Sequence, residues 1–208
     1  MPDVIAILKK TGALVPNSHF VGVSGLHFDT YINKDALYPH TEDTSAIAEL
    51  FAEKYKDNNI EVVVGPALGG IILSQWVAHH LTILTGREVL GVYTEKAADG
   101  GQAFTRGYDK YVTRKQVLVV EDAVTTGGSV KKVVEAVKEV GGIIAGVCVM
   151  VNRSPDEVTP ETLGFPFEAL ATYPVKTYEA SECPLCKANV PINTNLGHGK
   201  KFLESQKN

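Results

Sequence analysis

The feature that most constrains the fold is an alternation of short apolar segments with helical segments that begins at Ile60. The apolar segments fall at 60–64, 89–93, 117–120 and 143–151, and helical patterns fall at 70–84 and 129–140. Because these apolar segments are continuous and bounded by glycine, they indicate strands that are buried on both faces. Such strands, separated by helices, predict an α/β fold with a parallel sheet and helices on both faces. A further segment, Glu168 to Thr172, predicts a fifth strand.

The N-terminal part of the chain has a different pattern. Val4 to Lys10 shows the apolar spacing of an amphipathic helix. Phe20 to Asn33 is rich in aromatic and β-branched residues and is interrupted by Ser24-Gly25, which indicates a hairpin. A helix capped by Thr44 or an immediate neighbour then runs to about Tyr55.

The length of the chain suits one domain with an appendage. At 208 residues, with 44% of them apolar, it is long enough for one substantial core and short for two full domains. We therefore expect a single domain over residues 1–208, with a C-terminal appendage at about 175–208. One fold must then carry the whole function.

Composition and charge exclude several kinds of partner. Twenty basic residues oppose 24 acidic ones for a net charge of -4, and the basic residues are dispersed, which argues against nucleic acid as a partner. No apolar stretch reaches the ~18 residues that cross a membrane. Asp3 precedes the first apolar segment, unlike the basic start of a signal peptide. Three cysteines do not form a disulfide framework, so we expect a cytoplasmic protein.

The most informative segment follows the third predicted strand and reads VLVVEDAVTTGGS over residues 117–129. Hydroxyl groups, glycine N–H groups and the start of a helix together form an anion site. Carboxylates accept hydrogen bonds from vicinal hydroxyls or help to hold a hydrated divalent cation. The carboxylates are Glu121 and Asp122, Ala123 follows them, and the anion loop comprises Thr125, Thr126, Gly127, Gly128 and Ser129. Phosphate and diol together indicate ribose 5-phosphate.

Two commoner nucleotide loops do not fit this segment. A Walker A loop requires Gly-x-x-x-x-Gly-Lys-Ser/Thr, a dinucleotide loop requires Gly-x-Gly-x-x-Gly, and the sequence contains neither. The alternative is that the acids begin an ordinary solvated strand end and that the glycines only form the turn.

The segment 117–129 resembles the phosphoribosyl-pyrophosphate motif of the type I phosphoribosyltransferases, and the resemblance extends over most of the chain. It implies that Glu121 and Asp122 contact the ribose hydroxyls and that the loop after them holds the 5-phosphate. The segment Gly65 to Gly70 resembles the pyrophosphate loop of this family, with Ala67, Leu68, Gly69 and Gly70 as substrate-binding candidates. On its residues alone, the alternative for this second segment is an ordinary turn.

Three further segments resemble the orotate branch of the family. Ser24-Gly25-Leu26-His27 and the nearby Tyr31 resemble the N-terminal hood, mainly residues 1–35, that closes over the base. Arg153 occupies the place of a base-binding arginine, and a guanidinium suits a planar anion, although a solvated strand-end arginine is the alternative. The sequence Cys183-Pro184-Leu185-Cys186 resembles a segment near the end of some longer orotate enzymes.

Two departures leave the identity of the base open. Val23 stands where the orotate pattern has a basic residue, and Thr94-Glu95-Lys96 stands where it usually has an Arg-Lys pair with another lysine close by. The resemblance implies transfer of the phosphoribosyl group to orotate in pyrimidine nucleotide biosynthesis. The alternatives are a purine or uracil as the base, or a regulator that senses phosphoribosyl pyrophosphate without catalysis.

The polar connection at about 94–115 fits the mobile loop of the family, which closes over the active site of the partner subunit in a homodimer. Lys96 and Arg106 are candidates for contacting pyrophosphate as charge builds on it, and with Asp122 they form the predicted catalytic set. The resemblance also implies Mg²⁺, bound mainly through the substrate rather than by protein ligands.

Cys183 and Cys186 have the spacing of half a zinc site, but the sequence offers no second cysteine pair. His27 and His198 are candidate completions, and the sequence leaves open whether a metal binds. Cys148 falls in an apolar segment and is predicted to be a small core residue.

Overall fold

The computed structural model describes residues 2–206 of the chain. The helices are α1 (Val4–Lys10), α2 (Lys34–Leu37), α3 (Thr41–Tyr55), α4 (Gly69–Thr85), α5 (Asp109–Val112), α6 (Gly128–Glu139), α7 (Pro160–Leu163), α8 (Pro184–Lys187) and α9 (Gly199–Ser205). The strands are β1 (Leu14–Val15), β2 (Phe20–Val21), β3 (His27–Phe28), β4 (Tyr31–Ile32), β5 (Val62–Pro66), β6 (Leu90–Lys96), β7 (Gln102–Ala103), β8 (Gln116–Val124), β9 (Ile143–Asn152) and β10 (Phe167–Thr172). Within the described residues, no helix combines the length and the apolar character of a membrane-crossing segment.

The centre of the fold is a sheet with the strand order β10-β9-β8-β5-β6-β7. All neighbouring pairs are parallel except β6 and β7, which are antiparallel. The predicted parallel sheet is confirmed, and β10 confirms the predicted fifth strand. The two-residue strand β7 was not predicted, because Gln102 and Ala103 lie in a polar segment and pair only across a short turn with Lys96 and Glu95.

Helices cover both faces of the sheet, as the continuous apolar strands predict. Along β5, Val63 packs into a core that includes Phe51 of α3 and Leu73 of α4. Its neighbours Val62 and Val64 point to the opposite face and pack with the valines of α6. Because full burial of such a side chain stabilises the fold by about 1.5–3 kcal/mol, both faces must be covered for the sheet to be stable.

The hood is a separate small layer beside the sheet. β2 and β3 form an antiparallel hairpin whose turn contains Ser24-Gly25, which confirms the predicted hairpin. Its own core is small and centres on Phe20, Phe28 and Val175. The C-terminal tail supplies backbone hydrogen bonds to it, including His27 N to Tyr178 O at 2.8 Å and Tyr178 N to His27 O at 2.9 Å. The tail therefore holds one edge of the hood.

One boundary prediction was wrong. Helix α3 begins at Thr41, and Thr44 lies inside it with its hydroxyl donating to the carbonyl of Leu37 at 3.3 Å. The connection at 94–115 is not entirely irregular, since it contains the end of β6, then β7, and then α5. Its polar side chains concealed these short elements because only Val112 of α5 is buried.

Candidate active site

The carboxyl ends of the parallel strands meet at one edge of the sheet, where a cavity of about 570 Å³ opens under the hood. Ligands bind at this edge in α/β sheets because the loops there lie together above the strand ends. One wall of the cavity is the hood hairpin and the opposite wall is the loop that follows β8. The lining also includes Tyr31, Lys96, Lys132, Arg153 and His198.

The predicted anion loop lines this cavity. Its members in the lining are Ala123, Thr125, Thr126, Gly127, Gly128 and Ser129. Gly127 has a φ of 78°, and a Cβ on it would lie 2.5 Å from a methyl group of Leu163, so only glycine fits this turn. The turn leads directly into α6, whose first N–H groups and dipole favour a bound anion. The structure thus brings the residues of the predicted loop together on one wall of the cavity, at the start of a helix.

The two carboxylates lie just outside the lining, at the end of β8. Glu121 is only 7% exposed, and burial, followed by the nearby charge of Asp122, raises its pKa well above the usual range. The Asp122 carboxylate accepts a hydrogen bond from Ala123 N at 2.7 Å and lies 3.9 Å from the Lys34 ammonium. The Glu121 carboxyl is thus buried, and the Asp122 carboxylate lies beside a cation. Two neighbouring carboxyl groups of this kind suit the binding of hydroxyl groups.

Two residues that lie beside Glu121 and Asp122 were not predicted from the sequence. Lys34 is the first residue of the short helix α2, and Tyr38 directly follows the last one. Burial, and then the charges of Asp122 and Glu121, raise the pKa of Tyr38 above its usual range. A lysine and a tyrosine in a polar stretch carry no distinguishing pattern, and only the fold places them beside the acids.

The predicted pyrophosphate loop adjoins the carboxylates rather than the cavity lining. Gly65 and Gly70 are packed back to back, because a Cβ on Gly70 would lie 2.7 Å from the Gly65 carbonyl carbon. A Cβ on Gly69 would lie 3.4 Å from a carboxylate oxygen of Asp122. The Ala67–Leu68 peptide is cis, and the Leu68 side chain is 81% exposed. The loop is therefore a tight turn in which Gly69 faces the side chains of Lys34 and Asp122.

Arg153 is buried, which contradicts its reading as a solvated strand-end residue. It follows β9 and is 9% exposed, and its guanidinium carbon lies 4.5 Å from the centre of the Phe28 ring. Its two terminal nitrogens donate to the Thr30 carbonyl at 3.2 Å and to the Thr125 hydroxyl at 3.4 Å. Burial lowers its pKa, although arginine stays protonated at neutral pH. Arg153 therefore joins the hood to the phosphate loop.

The two predicted catalytic cations occupy different places. Lys96, at the end of β6, lines the cavity. Arg106 lies outside the lining and pairs with Glu95 at 3.1 Å, and its guanidinium stands 6.0 Å from the centre of the Tyr93 ring. Lys132 was missed, although it lies in the first turn and a half of α6 and donates to the Gly100 carbonyl at 2.7 Å beside the cavity. Its spacing of three residues from Ser129 is the signal that could have found it.

Comparisons with known proteins agree with this geometry. Residues 33–164 match the family model described as phosphoribosyl transferase domain. The curated orotate phosphoribosyltransferase of Caldanaerobacter subterraneus subsp. tengcongensis is 38% identical over 91% of this chain and 93% of its own length. This chain belongs to the orotate phosphoribosyltransferase family. The enzyme of that name from Thermotoga maritima is 37% identical over 94% of this chain and 98% of its own.

A solved structure of the same family shares the fold. The orotate phosphoribosyltransferase of Mycobacterium tuberculosis, crystallised with 5-phospho-α-D-ribosyl 1-diphosphate, superposes with a TM-score of 0.61 at 26% identity. The match covers 82% of this chain and 96% of that one. The family membership and the fold predicted from the strand and loop motifs are both confirmed. The roles of the individual site residues stay predictions.

Proposed function

We propose that this phosphoribosyltransferase transfers the 5-phosphoribosyl group of phosphoribosyl pyrophosphate to orotate, giving orotidine 5′-monophosphate and pyrophosphate in pyrimidine nucleotide biosynthesis. The observation that carries the proposal is the buried Arg153 guanidinium, which faces the same cavity as the phosphate loop. The relatives named above support orotate as the base, and the substrate complex of the Mycobacterium tuberculosis enzyme supports the sugar donor.

The sugar phosphate binds along the end of β8. The loop from Thr125 to Ser129 donates hydroxyl and N–H groups to the 5-phosphate, and Ala123 lies beside it. Glu121 and Asp122 accept hydrogen bonds from the ribose hydroxyls. The turn from Ala67 to Gly70 faces Asp122, so we place pyrophosphate there. The ribose then lies between the pyrophosphate and the base.

Arg153 selects an anionic planar base. A guanidinium has five donors, and Nε of Arg153 has no hydrogen-bond partner anywhere in residues 2–206 although it is buried. A carboxylate satisfies such a donor set, and burial strengthens the interaction. Phe28 and Tyr31 supply flat apolar surface beside the guanidinium for the ring of the base.

The reaction is a displacement at the anomeric carbon. A ring nitrogen of the base attacks as the bond to pyrophosphate breaks, and positive charge spreads over the ribose ring in the transition state. Catalysis comes from holding the base and sugar in line and from cations that neutralise the leaving group. Lys96, which lines the cavity, is our candidate for that role, and Arg106 is a second candidate that would first have to leave Glu95.

The chain offers suitable donors for Mg²⁺ near the leaving group. Glu121 and Asp122 supply the hard oxygen atoms that this ion prefers, and Asp122 faces the pyrophosphate turn. Magnesium bound mainly through pyrophosphate would neutralise charge on the leaving group. The carboxylates would orient the ribose at the same time.

We also propose that residues 1–208 act as one phosphoribosyltransferase domain within a cytoplasmic homodimer. The hood comprises mainly residues 1–35, the mobile loop about 94–115, and the appendage about 175–208. Lys96 and Arg106 both lie in this loop, whose side chains are mostly exposed, so loop closure would bring Arg106 to an active site. Three free cysteines support a reducing compartment.

A panel of bases tests the proposal. The protein is incubated with phosphoribosyl pyrophosphate, Mg²⁺ and orotate, uracil, adenine or hypoxanthine in turn, and nucleotide and pyrophosphate are measured. We expect both products with orotate and about 10- to 150-fold less with the other bases, since an uncharged base leaves Arg153 unpaired (about 1.5–3 kcal/mol for a charged hydrogen bond). Turnover of another base alone contradicts the choice of orotate. Binding of the sugar substrate with no turnover on any base indicates a regulator instead.

A further inference from the structure

A second cluster of chemically competent side chains lies between the hood hairpin and the C-terminal tail, and none of its members lines the active-site cavity. His19 precedes β2, His27 begins β3, and Cys183 and Cys186 flank the start of α8 in the tail. One side-chain ligand atom from each residue lies within 4.8 Å of the other three. Residues up to 167 positions apart in the chain therefore converge on one point.

The interatomic distances match a tetrahedral metal site. Around a zinc ion with the usual bond lengths, nitrogen and sulfur ligands lie about 3.6 Å apart and two nitrogens about 3.3 Å apart. The His19 Nε2 atom is 3.7 Å from Cys183 Sγ and 3.8 Å from Cys186 Sγ, and His27 Nδ1 is 3.4 Å from Cys186 Sγ. The two nitrogens lie 2.8 Å apart, so they separate by about half an ångström around an ion.

A hydrogen bond fixes the orientation of His19. Its Nδ1 lies 2.8 Å from the carbonyl oxygen of Val190, and a carbonyl only accepts, so Nδ1 carries the proton. Nε2 of the neutral ring is then a bare lone pair directed at His27 Nδ1 and the two sulfurs. Metal-binding histidines are held in this way by a backbone carbonyl behind the ring.

An ordinary packing cluster explains these groups less well. If the two histidines were hydrogen-bonded to each other, His27 would donate to the lone pair on His19 Nε2. The thiols of Cys183 and Cys186 would then lie beside an acceptor that has no lone pair left for them. His19, His27 and Cys183 are buried, and Cys183 and Cys186 are free cysteines rather than a disulfide. Four soft or borderline donors that face one another in a buried place suit a thiophilic cation.

We propose that His19, His27, Cys183 and Cys186 bind one Zn²⁺ ion. Four protein ligands leave no open coordination position, so the ion is structural rather than catalytic. It joins the hood hairpin to the C-terminal tail. The sequence had identified the cysteine pair and His27, whereas His198, the other candidate completion, lines the active-site cavity. His19 was missed because only the fold brings it to the cysteines.

The ion would stabilise the hood where its own core is small. Phe28, which contacts Arg153 in the active site, directly follows His27. Loss of zinc therefore loosens the wall that faces the base, and we expect the KM for orotate to rise severalfold with less change for the sugar donor. This kinetic consequence rests on the proposed function, whereas zinc content does not.

Metal analysis of the full chain tests the proposal. The protein is produced in medium supplemented with zinc, purified without chelator and analysed by mass spectrometry for metals. We expect one zinc per chain, a loss of at least tenfold in Cys183→Ser, Cys186→Ser and His19→Asn, and no loss in the matched controls Cys148→Ala and His40→Asn. Cys148 is buried in β9 and His40 is exposed, and neither belongs to the cluster.

Cobalt provides a second measurement in case the variants do not fold. Wild-type protein freed of zinc and loaded with Co²⁺ should show the intense visible bands of a tetrahedral ion and charge-transfer absorption from thiolate. Zinc added afterwards should abolish both. Absence of stoichiometric zinc together with octahedral cobalt spectra would overturn the proposal. So would retention of full zinc content in the cysteine variants.

Discussion

The two walls of the active-site cavity are built in opposite ways. The wall proposed to bind the sugar phosphate is a continuous piece of sequence at the end of β8, anchored by strands that are buried on both faces. The wall proposed to bind the base is a hairpin with a core of a few side chains, held by a tail about 150 residues away in the chain. Local sequence therefore determines the first wall, and tertiary assembly determines the second.

The difference predicts where substitutions act. Changes at the strand ends should remove binding or turnover and leave the fold intact, because the sheet carries the stability. Changes in the hood should alter affinity for the base and stability together.

Replacing both acids, Glu121→Gln with Asp122→Asn, should have the largest effect. Two charge-assisted hydrogen bonds are lost at about 1.5–3 kcal/mol each, so kcat/KM for phosphoribosyl pyrophosphate should fall by about 10²- to 10⁴-fold. Steady-state kinetics check this, with Glu135→Gln and Glu139→Gln on the exposed side of α6 as the control pair. An equal loss in the control would show that net charge, rather than these carboxylates, matters.

The two candidate cations should differ from each other. Lys96→Ala should lower kcat by about 10²-fold, the usual effect of losing one donor to a developing charge. KM for the sugar donor should change far less. Arg106→Ala should also lower kcat if the loop closes, and Lys110→Ala in the same connection should not. Unchanged kcat in the double variant Lys96→Ala with Arg106→Ala removes both residues from the mechanism.

Arg153→Lys should act mainly on the base. A lysine keeps the charge but loses the planar set of donors, so KM for orotate should rise about 10- to 100-fold, with a smaller change for the sugar donor. The exposed residue Arg87, changed to lysine, is the control. A larger effect on the sugar donor than on orotate would show that the contact with Thr125 is the main role of Arg153.

The smallest predicted effect concerns stability and pH. Burial, and then the charge of Asp122, raises the pKa of Glu121 above its ordinary value of 4.5, so the folded state holds this proton more tightly than the unfolded state does. The stability that this provides is complete below that value and is lost as pH rises through the raised pKa. Each pKa unit corresponds to about 1.4 kcal/mol.

Glu121→Gln lacks this loss, so its Tm relative to wild type should increase with pH across that window, by about 2–4 °C for each kcal/mol. Calorimetry at several pH values measures the difference. Glu139→Gln, which is exposed, should give a constant difference. A constant difference for Glu121→Gln as well would show that its carboxyl titrates normally.

The same contrast explains what the sequence could predict. The strand pattern from Ile60 and the acid and glycine run after Val120 are contiguous, so they predicted the sheet, the loop and the family. The short strand β7 and the helix α5 lie in polar sequence and make few buried contacts, so periodicity could not find them. Lys34 and His19 reach their sites only through the fold, and their identities carry no local pattern.

The most direct test is a crystal structure of the protein with orotidine 5′-monophosphate bound. We expect the phosphate in the turn from Thr125 to Ser129, the ribose hydroxyls on Glu121 and Asp122, and the base carboxylate within hydrogen-bond distance of Arg153. A nucleotide phosphate bound elsewhere, or a base that points away from the hood, would contradict the proposed function of these residues.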